Sequence, residues 1–282
     1  MRSGAWPPAP EALPVPVVDN HCHLEFPAGD PELSVEQRLA AAAAVGVDRL
    51  VQVGCELDSA RWTAEAVERY PSMLGAVALH PNEAPLHADG SHESGIGYED
   101  ALAEIAALAR GSRIRAIGET GLDFFRTGEE GRAAQIRSFR DHIALAKELD
   151  LPLQIHDRDA HAEVLDVLER DGAPERTVFH CYSGDAGMAR VCAQRGYYLS
   201  FAGTVTFKNN DGLRAALAVT PLERVLVETD APFLTPHPHR GAPNAPYLVP
   251  VTMRTVATVL GTDLEAACAA VSTTSELLYG PW

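Results

Sequence analysis

A TIM-type (β/α)8 barrel is the fold class that this 282-residue sequence predicts. Three observations predict it. Short apolar, β-branched runs alternate with longer alanine- and leucine-rich segments of helical spacing, the βαβα signature of a parallel sheet. There are eight such runs. They are spread evenly over about 260 residues, a regularity that suits a barrel better than an open doubly wound sheet.

The strands are expected at 15–21, 48–54, 74–80, 114–120, 151–157, 176–181, 197–203 and 224–230, each rich in Val, Ile, Leu or aromatic residues. Helices are expected between them at 35–45, 59–69, 98–110, 131–149, 160–171, 185–195 and 208–219. A last helical region at 247–279 is expected to break near Gly261. The Gly-, His- and Ser-rich stretch from Glu83 to Gly97 reads as a surface loop. The domain plan is a proline-rich arm over 1–14, dispensable for activity, followed by one barrel domain over 15–282 with no second compositional block.

Composition narrows the function classes. With 23 Lys and Arg against 39 Asp and Glu, the net charge is −16, which excludes a surface that wraps nucleic acid and argues against an anionic membrane as partner. The longest apolar run, Leu39 to Val47, falls far short of the roughly 18 residues of a membrane span. The N-terminus lacks the apolar core of a signal peptide. Five cysteines without a CxxC pair form no disulfide framework, so a cytoplasmic location is expected and no protein partner is indicated.

The informative feature is where polar residues fall. His21, His80, Glu119, His156, His180 and Asp230 all stand at the C-terminal end of an expected strand, the end at which parallel barrels build their active sites. In an extended chain His21 and His23 point to one side and can present two imidazoles to one ion. A glutamate such as Glu119 has two oxygens and can bridge two metals, or it can cap the following helix. Asp230 can ligate a metal and accept a proton.

The motifs DNHCHLE (Asp19 to Glu25), IGETGLDFF (Ile117 to Phe125), LPLQIHDRDA (Leu151 to Ala160), HCYSG (His180 to Gly184), ETDAPFLTP (Glu228 to Pro236) and RGAPNAP (Arg240 to Pro246) occur in this order. Together they resemble the TatD family of metal-dependent deoxyribonucleases in the amidohydrolase superfamily, over about residues 15 to 280. The resemblance implies that His21 and His23 bind one metal, that Glu119 bridges, and that His156 and His180 bind the second. Asp230 is implied as the remaining ligand and general base. His80, Arg158, Arg240 and Asn244 are implied as substrate contacts. Asn82, Ser275 and Tyr279 depart from the family pattern.

The chemistry expected from the resemblance is hydrolysis of a phosphodiester with two divalent ions, as by a 3′ to 5′ exonuclease on single-stranded DNA ends, with RNA ends as an alternative substrate. A mixed imidazole and carboxylate set suits Zn, Mn, Fe or Ni, and Mg suits a site richer in oxygen. Arg126, Arg158, Lys208 and Arg240 are candidate sources of local positive charge. Phe124 and Phe125 are candidates either for stacking a base or for packing. Two alternatives stand beside this: hydrolysis of an ester, lactone, amide or aminoacyl ester at the same metals, and a barrel that binds without catalysis.

Overall fold

The computed structural model describes residues 4–282, so the first three residues of the expected arm lie outside the described residues. Eight strands alternate with helices, and the sheet order follows the chain from the first strand to the eighth, which is the (β/α)8 class. The described residues form two compact units, 4–52 with 184–282 and 53–183.

The first unit contains β1 (Val17–Cys22), α1 (Val35–Ala44) and most of β2 (Val47–Gly54). β1 and β2 pair in parallel. Every residue of β1 is buried, polar ones included, as expected of a strand covered on both faces. Ser34 and Gln37 start α1 with a reciprocal capping box, Ser34 Oγ accepting from Gln37 N at 3.2 Å and Gln37 Oε1 accepting from Ser34 N at 2.8 Å. That anchors Arg38, whose buried guanidinium donates to the carbonyls of Leu24 at 2.6 Å and Phe26 at 3.1 Å. The chain just past the His-Cys-His triplet is thereby fixed.

The arm is packed against this unit. Leu13 is buried, its N–H donating to Val45 O at 3.0 Å, and Tyr247 Oη donates to Pro7 O at 2.6 Å.

The second unit contains α2 (Leu57–Arg69), β3 (Met73–Val77), α3 (Ala84–Asp89), α4 (Tyr98–Leu108), β4 (Ile114–Asp123), α5 (Glu129–Leu149), β5 (Leu153–Arg158), α6 (His161–Asp171) and β6 (Thr177–Phe179). β3 to β6 pair in sequence, all in parallel. The expected loop from Glu83 to Gly97 opens with α3, a short helix with proline near its first position, which suits the absent N–H there. Residues 184–282 return to the first unit with α7 (Ala186–Gln194), β7 (Tyr198–Phe201), α8 (Asp211–Ala218), β8 (Val225–Val227), α9 (Val249–Leu260) and α10 (Leu264–Tyr279). β7 pairs with β8, and the break between α9 and α10 falls at Gly261, whose φ is 63°.

Several strands stop earlier than the apolar runs suggest. β3, β6 and β8 end at Val77, Phe179 and Val227, so His80, His180 and Asp230 stand on the segments just beyond their strands. β4 instead runs on to Asp123 and carries Glu119 within it.

Candidate metal centre

In the first unit, His21 is the next-to-last residue of β1 and His23 directly follows the strand. Their rings stand edge to face with centroids 4.9 Å apart and Nε2 atoms 3.1 Å apart. The Asp230 Oδ1 atom lies 3.5 Å from His23 Nε2 and 3.9 Å from His21 Nε2. Both imidazoles are buried.

Backbone hydrogen bonds tie the two carriers together. Asp230 N donates to His21 O at 2.9 Å, and His23 N donates to Ala231 O at 2.8 Å. Beneath them the buried Asp19 carboxylate accepts from Thr229 N at 2.9 Å, Thr229 Oγ1 at 2.5 Å and His21 N at 3.3 Å. Burial nevertheless pushes the Asp19 carboxyl up to about 7, against the pull of those hydrogen bonds.

Asp230 itself has φ 53°, a left-handed conformation uncommon for a residue with a side chain, and it turns the chain out of the sheet. Asn244 is buried and donates from Nδ2 to Thr229 O at 2.9 Å and to Phe233 O, which clamps this turn.

In the second unit, Glu119 is the hub. Its Oε1 lies 2.5 Å from His156 Nδ1, 2.7 Å from His180 Nε2 and 3.5 Å from His80 Nε2. Burial opposes its charge, but His180, His80 and a hydrogen bond from His156 outweigh burial and hold the carboxyl well below its usual range. Glycine makes this approach to β5 feasible. Gly121 has φ 138°, and a Cβ there would lie 2.1 Å from His156 O.

His156 has a second carboxylate partner, Asp123 Oδ2, at 3.2 Å from Nε2. Burial lowers the His156 pKa, yet the hydrogen bonds to Asp123 and Glu119 prevail and raise it. Asp123 is fixed by N–H groups of Phe125 at 3.0 Å and Arg126 at 2.8 Å and by the Asn82 amide at 3.2 Å. Burial opposes the Asp123 charge too, but the hydrogen bonds from His156 and Arg126 dominate and keep its pKa low. Sequence reasoning missed Asp123. Its signal was present in IGETGLDFF, four residues after Glu119.

These donor sets fit divalent cations. His21, His23 and Asp230 form one group, and His80, Glu119 and His156 another, with ligand atoms within 4.8 Å of one another in each. A ligating imidazole whose other nitrogen meets a carboxylate is the arrangement that fixes ring and tautomer in metal sites, and His156 with Asp123 has it.

The substrate candidates are placed differently. The His80 Nδ1 atom accepts from Asn82 N at 3.0 Å, which turns Nε2 toward Glu119. The Arg158 guanidinium lies 4.0 Å over the exposed Phe125 ring, and that of Arg240 lies 4.2 Å over Phe207. Phe124 lies under Arg132 at 4.3 Å.

Residues 18–280 match the family model described as TatD related DNase. The chain belongs to the TatD-related DNase family. Two relatives carry the likeness along nearly the whole chain. The uncharacterized metal-dependent hydrolase TatD of Mycobacterium tuberculosis is 40% identical over 268 residues, covering 94% of this chain and 98% of the relative. YabD of Bacillus subtilis, another uncharacterized metal-dependent hydrolase, is 35% identical, covering 93% and 98%. The crystal structure of YjjV, a TatD homologue from Escherichia coli, superposes with a TM-score of 0.81 at 26% identity, covering 93% of this chain and 97% of the other. As a TatD-family member the chain is a metal-dependent hydrolase.

Proposed function

We propose that this chain hydrolyses phosphodiester bonds, removing nucleotides 3′ to 5′ from single-stranded DNA ends, with two divalent cations held by His21, His23, Glu119, His156, His180 and Asp230. The observation that carries the reading is the pairing of carboxylate and imidazole in both clusters, with Asp230 Oδ1 beside two facing imidazoles. The family description supports the choice of nucleic acid.

When bound, such cations supply Lewis acidity toward a phosphoryl oxygen and toward water. The rest is work for the protein. Asp230 is partly accessible, and its carboxylate takes up the proton of the attacking water. Glu119, with two carboxylate oxygens, would hold a cation together with His156 and His180. In this reading His80, which stands beside Glu119, contacts the substrate and is not one of the cation ligands. Arg158 over Phe125 and Arg240 over Phe207 each rest on an aromatic ring, from which the planar fork can meet phosphate.

A second reading, hydrolysis of an ester, lactone, amide or aminoacyl ester, is favoured by the net charge of −16, which is adverse for a polyanion. The test is degradation of 5′-labelled single-stranded DNA by metal-stripped protein with Mg, Mn or Zn restored. A metal-dependent ladder is expected, and Asp230→Asn should fold normally but turn over at least about 100-fold more slowly, as loss of a general base does. Folded, metal-loaded protein that yields no ladder moves the assignment to the second reading.

A further inference from the structure

Phe233 is one of few large apolar side chains left exposed, at 49%, and it stands three residues from Asp230. Its ring meets that of His23 edge to face at 6.2 Å and that of Phe26 at 6.1 Å, and Phe26 in turn lies 5.9 Å from His23. A half-exposed aromatic ring therefore borders a candidate metal ligand directly.

Its mount is rigid. Asn244 holds Phe233 O, Phe233 N donates to Asp230 O at 2.7 Å, and Arg38 holds Phe26 O. Holding an exposed phenylalanine on an anchored turn costs solvation and gains nothing for the core, whereas a preorganised flat surface suits a planar ligand. Phe125 is still more exposed, but Arg158 already covers its face; no cation lies over Phe233 among the described residues.

We propose that Phe233, braced by Phe26, is the platform on which an unpaired nucleobase flanking the scissile phosphate stacks. This rests on the phosphodiester reading above, because a phosphate brought to His21, His23 and Asp230 carries its base one sugar away. Aromatic stacking tolerates any base and needs it unpaired, so the platform selects single strands without selecting sequence.

The test compares wild type, Phe233→Ala, Phe233→Leu and Phe233→Trp on 5′-labelled single strands. The strands end in ordinary nucleotides or carry an abasic residue at either of the two 3′-terminal positions. Metal content is measured alongside. On the ordinary strand, Ala and Leu variants should raise KM roughly 10-fold with kcat unchanged, the signature of lost uniform binding, and Trp should restore it. On one abasic strand wild type should already show that loss, and the variants should add nothing.

An equal loss on ordinary and abasic strands, or lower metal content, would show that Phe233 only supports His23 and would overturn the proposal. So would no loss at all, and in either case the nuclease reading stands. If wild type cleaves none of the strands, that reading falls and the platform with it.

Discussion

Asp123 shows how much a single residue contributes to a site without being one of its expected ligands. It fixes His156 through Nε2 while its other oxygen accepts two backbone N–H groups. Asp123→Asn keeps an oxygen for the backbone bonds but turns an amide toward His156, where an acceptor stood. The fold should survive, and metal affinity or turnover should drop about 10- to 100-fold, the usual cost of removing such a partner. Calorimetric metal titration checks this, and an unchanged affinity would assign Asp123 to the loop alone.

Other residues were legible beforehand for definite reasons. His21 and His23 share a side because an extended chain repeats every two residues. Gly121 beside Glu119 reflects the close approach of β5, a contact that no single-strand pattern reveals.

Among the elements, the strands were legible by position and less so by length. Apolar runs mark where a strand can be buried, but pairing decides where it stops. Asp230 illustrates the difference, since its left-handed φ turns the chain away three residues after β8 ends. α3 went unread because Gly, Ser and His dominate its surroundings, although Pro85 was a usable start signal.

α5 offers a pH test at this scale. Its His142 is fully buried, donates from Nδ1 to Ser138 O at 2.7 Å and accepts at Nε2 from Leu79 N at 3.1 Å, pinning the segment just past β3. Burial depresses its pKa to about 4, partly offset by Ser138 and the neighbouring Asp141. The folded state thus holds His142 neutral while the unfolded chain takes up a proton near pH 6.5. Its contribution is complete above that value and is lost as pH falls toward 4. The shift corresponds to about 3 kcal/mol of stability lost between neutral pH and pH 4. Urea unfolding of wild type and His142→Gln across that range should show the gap between them changing by about this amount. A constant gap would mean that His142 is not held neutral.

For the whole molecule, ion binding and folding are linked, because the candidate ligands are gathered only in the native chain. Stripping divalent ions should lower Tm, and restoring one at 100 times its Kd should return about 2.7 kcal/mol. At this chain length each kcal/mol moves Tm by about 2–4 °C, so scanning calorimetry resolves it readily. Identical transitions with and without ions would show that these side chains hold none. No described helix is long and apolar enough to cross a membrane, consistent with the short apolar runs of the sequence.

The hydrogen bonds joining His21 and His23 to Asp230 and Ala231 also set an order of events during synthesis. The two histidines are made more than 200 positions before their carboxylate partner. A nascent chain therefore presents the two imidazoles without Asp230 while the residues between them are made. The donor set of that cluster is therefore assembled only once Asp230 has been made and β8 has folded back beside β1, so cation binding there reports the closing of the first unit and not the presence of the two histidines.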